Sequence, residues 1–335
     1  MAEYGSLTNI FIPEVQNKYV NEFSTTQSAL WQSGIVSNSA QLADELTNGH
    51  GNYFLTPFNK PVEDETAGDG DTSNDAIATS QLFTGTQTSV RQVKTHAWDA
   101  RDLAVQMSGN DATAAVALKA GLFWRNNMQK QLLAAIKGVF LGNIADDSGD
   151  MINDIYVDAA TPAETTKINT TSIIDAAATM GDHWGSLGAI AMHSTSRAKL
   201  MKDEPNAFVP ASQSNIGFAT YNGLIIIEDD SLVVTAGSNS SEYETLLFGQ
   251  GAFQYGQARD VVESVIDREE RTGNGTGGEA LILRRSFVMH PDGFTCTSTD
   301  AKLPIVNARL EAAAAWTREV TSRKQIKMAM LKHNV

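Results

Sequence analysis

Cysteine is nearly missing from this 335-residue chain. Cys296 stands alone, so no intramolecular disulfide can form, which fits a reducing compartment. Positive charge is also scarce: 25 Lys and Arg face 39 Asp and Glu, a net charge of -14. An acidic surface repels phosphate backbones, which argues against a general nucleic-acid binder. No apolar run approaches the roughly 20 residues that cross a bilayer. The segment from Met1 to Gly5 has neither the basic nor the apolar stretch of a secretory signal. The sequons at Asn169, Asn239 and Asn274 therefore carry no expectation of glycosylation, and the chain is expected to be made and used in a cytoplasm.

Chemical motifs are equally sparse. His50, His96, His183, His193, His290 and His333 form no HExxH and no Cys-His zinc spacing. Gly273–Gly278 contains GxGxxG, but it precedes a strand signal at Glu279 instead of opening a helix, so it reads as a hairpin turn. Asp69–Asp75 resembles the start of a calcium loop. It lacks the sixth-position glycine and the twelfth-position acid, where Asn74 and Ser80 stand, so it reads as a solvated acidic tip. Gly185–Gly188 lacks the first glycine of a nucleophile elbow, and Cys296 has no sequence-adjacent activator. No catalytic, cofactor or metal residues are expected.

What is present is a chain with 42% hydrophobic residues, enough to bury a core in two lobes. Residues 1–50 are polar and weakly periodic, with a short helix over Thr26–Ser33, and read as an extended arm. Residues 51–97 read as a long two-stranded excursion. Tyr53–Leu55 leads out, Ser89–Lys94 returns, and an acidic, glycine-containing tip lies between them. No core within the chain is evident for Phe54 and Phe58, so a neighbouring chain is expected to cover them. Residues 111–141 give the strongest helix, with Asn110-Asp111 as its cap and Gly142 as its stop. Leu118, Gly121, Leu122, Trp124, Met128, Leu132, Ala135, Ile136 and Val139 form one stripe, and Lys119, Asn126, Lys130 and Lys137 lie opposite. Such a helix spans about 45 Å.

Helix and strand signals alternate from residue 166. A helix runs from Thr171 to about Gly181, and Ser194 caps another over Arg197–Met201. Strands fall at 188–192, 223–227, 245–248, 261–266, 279–289 and 326–331, with a last helix over Ala308–Trp316. This is an α+β pattern with mixed pairing, without the regular beat of a doubly wound sheet. Arg318, Arg323, Lys324, Lys327 and Lys332 make the C-terminal stretch basic. Their alternation with Ile326, Met328 and Met330 predicts a half-buried strand with one solvated face, not a nucleic-acid patch.

Five ordered segments carry a resemblance. They are Ile12–Val15 with Ser28–Val36; Thr56–Lys60; Ala97–Asp111 leading along the long helix to Phe140; Tyr221–Asp230 with Phe248–Phe253; and His290–Phe294 with Asn307–Trp316 and Lys332–Asn334. In order and spacing they resemble tailed-bacteriophage major capsid proteins with the Hong Kong 97-type fold. The pattern departs at Leu303–Asn307, where the family often has a serine-proline-threonine turn, and in the acidic loop 62–76.

The resemblance implies an α+β subunit in four parts. These are an N-terminal arm (1–50), an extended β-hairpin loop (51–97), a peripheral domain with a long spine helix (98–165 and 256–294), and an axial domain (166–255 and 295–335). It implies self-assembly into pentamers and hexamers of an icosahedral or prolate head enclosing double-stranded DNA without sequence-specific binding. Phe54, Phe58, Lys60, Trp31 and Arg91 are the expected inter-subunit residues. A portal protein and a decoration protein are implied partners. A separate scaffolding protein is expected too, because the arm-like match begins near Met1 with no heptad-rich segment ahead of it. Some members of the wider fold join a loop lysine to a neighbour's asparagine; Lys60, beside Pro61, is poorly placed for this. An encapsulin-like compartment shell is the rival within this fold, and a cytosolic α+β enzyme the rival outside it.

Overall fold

The computed structural model describes residues 31, 33–48, 51–59, 84–101, 112–210, 219–258, 263–297 and 305–335. The expected cap at Asn110-Asp111, the acidic loop 62–76 and most of the segment Thr26–Ser33 lie outside them.

A helix over Ala112–Asp146 runs through the structure. Its sequence is rich in alanine and leucine and free of proline, and it passes the expected stop at Gly142 by four residues. Gly142 has a different task. A Cβ there would lie 2.9 Å from the Trp316 carbonyl oxygen, so the glycine admits a neighbouring backbone. The helix ends at Asn143–Met151, where the Asn143 side chain accepts from the Met151 N–H at 3.1 Å and Ser148 and Gly149 adopt positive φ.

Among the described residues the larger sheet has eight strands. At its centre Ser241–Gly249 pairs antiparallel with Met328–His333 on one side and Leu187–Met192 on the other. Leu224–Glu228 runs parallel to Leu187–Met192, and Ile152–Asp154 parallel to Met328–His333. Asn222 and Gly223, both at positive φ, close the tight hairpin from Thr220–Tyr221 to Leu224–Glu228. One face of the sheet, with Leu246, Phe248, Met328 and Met330, shares a core with Met128, Leu132 and Val139 of the long helix. The other, with Leu247, Ala329 and Leu331, is covered by helix Thr170–Ala178 and by Leu200 of helix Ser194–Asp203. The strand expected at 326–331 is thus buried on both faces instead of half-solvated, because it lies between two helical layers.

The second sheet is organised by the 14-residue strand Gly278–Pro291. It pairs with Gln92–Arg101, Ser264–Glu269 and Phe253–Gln257, and the last takes Val36–Asn38 in parallel. The GxGxxG segment closes the hairpin between Ser264–Glu269 and Gly278–Pro291, as its context suggested.

Three further expectations are corrected. The supposed arm contains a helix, Ala40–Asn48, that buries Leu42 and Leu46. The last helix is a short turn, Asn307–Leu310, followed by a 3-10 turn at Ala313–Ala315 and a strand at Trp316–Arg318. That segment bends to follow the glycine notch of the long helix, and the Trp316 indole N–H donates to the Leu310 carbonyl at 3.0 Å. Finally, the cap of helix Ser194–Asp203 is His193, whose Nδ1 accepts from the Thr195 N–H at 3.2 Å.

Candidate assembly surfaces

The excursion is a two-stranded ribbon, Tyr53–Asn59 against Thr84–Val90, in register from Tyr53 opposite Val90 to Asn59 opposite Thr84. The return strand does not continue to Lys94 as expected. The chain turns at Arg91, and Gln92–Arg101 joins the second sheet. Side chains alternate: Phe54, Gln87 and Ser89 are buried, while Leu55, Pro57, Thr84 and Thr86 are exposed. Thr295 steadies the inner edge, its Oγ accepting from the Thr88 N–H and donating to the Thr86 carbonyl, both at 3.4 Å.

Phe54 is held by its own chain. It packs with Leu42, Leu46, Ala258 and Val288, which corrects the expectation that only a neighbour could cover it. The helix that sequence reasoning missed supplies that small core. Arg91 lies beside Phe54, its guanidinium 5.5 Å from the ring centroid, and donates to the Leu46 carbonyl at 2.6 Å. This cation–π contact and hydrogen bond tie the ribbon's base to helix Ala40–Asn48. Phe58 is half-buried. Trp31 is also half-buried and stands edge-on to Tyr255 at 4.9 Å, apart from the Phe54–Arg91 pair. Lys60 lies outside the described residues. The most exposed large apolar side chain of the ribbon is Leu55, at 63%. The alternation of the strand was the signal that could have singled it out.

The basic C-terminal stretch is largely neutralised within the chain. Arg318 pairs with Asp147 at 3.1 Å and Asp150 at 2.8 Å. Arg323 donates to the Ile326 and Met328 carbonyls at 2.7 and 2.6 Å, and burial lowers its pKa to about 10. Lys324 meets Asp182 at 2.9 Å and Lys332 meets Glu242 at 2.7 Å. Glu244 sits opposite Lys332 on the central strand. Burial pushes it up to about 7, against the pull of Lys332 and with added push from Glu242.

Among the described residues no reactive constellation accompanies these contacts. His290 is buried beside Gln87 at 3.2 Å, and burial lowers it to about 4, so it is neutral near pH 7. His333, likewise lowered to about 4 by burial, bonds Thr245 and the Asn334 carbonyl, both at 2.8 Å. Cys296 is buried. Among the described residues no group of His, Cys, Asp and Glu is arranged to hold a metal ion, and no helix is long and apolar enough to cross a membrane. An apolar cavity of about 320 Å³ is lined by Ile173, Ile174, Trp184, Leu224, Leu247 and Tyr221. Burial raises the Tyr221 hydroxyl to about 12, which leaves it un-ionised there.

Comparison with known proteins now decides the family. Residues 40–327 match the family described as Major capsid protein 13-like. The chain belongs to that family. It is 31% identical over 340 residues to the major capsid protein of Bacillus phage SPP1, covering 99% of each chain. The structure is similar to the capsid of Ralstonia phage GP4, with a TM-score of 0.59 and 8% identity over 93% of this chain and 90% of that one. It is also similar to the cyanophage Pam1 capsid, with a TM-score of 0.58 and 11% identity over 100% and 99%. At those identities the structural likeness concerns the fold, which is the Hong Kong 97-type α+β capsid fold. The protein is a phage major capsid protein and a component of the virion shell, which bears out the phage expectation over the encapsulin-like rival.

Proposed function

We propose that this subunit closes into five- and six-membered rings of a phage head, enclosing double-stranded DNA and catalysing nothing itself. The observation that carries this is the ribbon Tyr53–Asn59/Thr84–Val90. Among the described residues it has two strands, and it is rooted at Phe54 and Arg91, with Leu55 and Pro57 turned to solvent. A two-stranded ribbon is marginal in water unless another surface covers it. A neighbouring subunit in a head-to-tail ring would provide that cover. On this reading Leu55, Phe58, Lys60 and the rim of Trp31 are subunit contacts, and Phe54 and Arg91 position the ribbon. The division into arm, extended loop, peripheral domain and axial domain follows, with residues 92–97 moved from the loop to the peripheral sheet, where strand Gln92–Arg101 pairs.

A heterologous contact that closes as either a five- or six-membered ring is ambiguous in curvature. We assign that choice to a separate scaffolding protein, with assembly in the host cytoplasm, a portal at one vertex, and room for a decoration protein outside. The test is expression of the gene without other phage proteins, followed by electron microscopy. Capsomers, tubes or shells of mixed size are expected. Uniform shells would contradict the scaffold requirement, and the absence of any assembly would contradict the ring.

A further inference from the structure

The cavity beside helix Thr170–Ala178 takes no part in the shell contacts argued above. Its volume, about 320 Å³, is roughly twice the 150 Å³ that holds a benzene in an engineered apolar core. Ile173, Ala177, Leu187 and Leu247 give it a buried apolar floor. Ile174 and Trp184 line it too and are exposed. Trp184 is the one exposed tryptophan of the chain's five, at 50%. An indole left open at the mouth of an apolar cavity is unused contact surface. The lining also has a polar part, Thr170 and Tyr221. The Tyr221 hydroxyl donates to the Glu204 carboxylate at 3.2 Å, and the Thr170 hydroxyl donates to the same oxygen. Each hydroxyl has one hydrogen to give, so both keep only lone pairs for a third group. That group must therefore bring a donor. Glu204 is also the C-cap of helix Ser194–Asp203, the negative end of the helix dipole, so a ligand anion is disfavoured there.

We propose that this cavity binds a small aromatic molecule that carries a hydroxyl donor and no negative charge, of the alkylphenol class. The apolar floor and the Trp184 indole take the ring and its alkyl chain, and the ligand hydroxyl donates to the lone pairs of Thr170 and Tyr221. Volume sets the size, the hydroxyl pair sets the donor, and Glu204 sets the charge. An apolar pocket with a few convergent polar groups is the usual form of a small-molecule site. The lining comes from three elements: helix Thr170–Ala178, the 3-10 turn Gly181–Ser186 and the hairpin Tyr221–Leu224. A ligand held among them binds the folded chain and not the unfolded one, so it raises the melting temperature as its concentration rises.

Titration calorimetry with three probes tests the proposal, on dissociated full-length subunits and on assembled shells. The probes are para-butylphenol, butylbenzene and para-butylbenzoate. Saturable binding of para-butylphenol is expected in both preparations. Butylbenzene, which leaves the hydroxyl pair unmet, should bind about tenfold more weakly, the worth of one hydrogen bond near a charged group. Para-butylbenzoate should not bind. Gly185 lines the cavity, and a Cβ there meets nothing within 4 Å, so Gly185→Leu can fill the mouth without displacing the core. It should abolish binding while the chain still melts cooperatively. Tyr221→Phe combined with Thr170→Val removes both hydroxyls. It should erase the preference for para-butylphenol over butylbenzene, and it decides the matter should Gly185→Leu fail to fold. Four outcomes overturn the proposal. Para-butylphenol binds neither preparation; or all three probes bind alike, which marks a greasy surface without selectivity; or a folded Gly185→Leu chain, or the hydroxyl-free chain, behaves as the unmodified one does, which puts the site elsewhere; or binding is seen in subunits and lost in shells, which assigns the cavity to a side chain of a neighbouring copy.

Discussion

Gly138 of the long helix and Leu310 meet so closely that a Cβ on Gly138 would lie 1.8 Å from the Leu310 carbonyl oxygen and 2.9 Å from the Trp316 ring. The approach lets Asn307–Trp316 lie along the helix, where Leu310, Ala315 and Trp316 join the main core. Gly138→Ala forces backbone from backbone, which a rotamer change does not relieve. A loss of about 1–3 kcal/mol, typical of an overpacked core, is expected in denaturant unfolding of the dissociated subunit. An unchanged midpoint would mean that the segment shifts freely and that the notch does not fix it.

Glu244 gives the fold a pH dependence. Its folded pKa, about 7, lies above the ordinary value of 4.5 because burial disfavours the carboxylate. The folded state therefore keeps a proton that the unfolded chain releases above about pH 4.5. This contribution to stability is full below that pH, falls as pH rises toward 7, and is constant above. The loss is on the order of a few kcal/mol at most. Glu244→Gln should flatten the melting temperature between pH 5 and 7.5 relative to the unmodified chain. Parallel profiles for the two proteins would refute this origin.

Arg318 reads as a structural cation. It is half-buried and paired with Asp147 and Asp150 at the end of the long helix. Arg318→Ala strands two carboxylates in a partly buried site, and about 2 kcal/mol of stability should be lost. Empty shells should bind DNA weakly, with little salt dependence, whether or not Arg318 is present. A filter-binding assay in which the substitution abolished a steep, salt-sensitive affinity would assign the residue to the genome instead.

The parts of the fold legible in the sequence are those whose pattern is local. The long helix, the apolar strands at 187–192 and 224–228, and the strand Gly278–Pro291 each announced themselves by periodicity or by an unbroken apolar run. Helix Ala40–Asn48 did not, because only Leu42 and Leu46 mark its buried face and their partners, Phe54 and Val288, are distant in sequence. For the same reason Phe54 looked unsupported. Gly142 looked like a helix stop because nothing local reveals that Trp316 approaches it. Of the expected contact residues, Arg91 and Phe54 proved to be joined to each other, a pairing that requires the turn at Arg91 to be seen.

No covalent cross-link between subunits is expected. Lys60 is the only lysine between Lys18 and Lys94, and Pro61 follows it directly in the sequence. Mature particles boiled in detergent should migrate as monomers in denaturing gels. A ladder of oligomers would show that a lysine reaches a neighbour's side chain.

The central claim is that this chain builds a shell by laying its ribbon on the next copy in a ring. Cryo-electron microscopy of assembled particles tests it most directly. The account predicts five- and six-fold rings of this subunit, with Leu55 and Pro57 covered by a neighbouring chain and Phe54 still packed on Leu42 and Leu46 of its own. A map in which the ribbon folds back on its own subunit, with Leu55 open to solvent and the rings held by other surfaces, would contradict it.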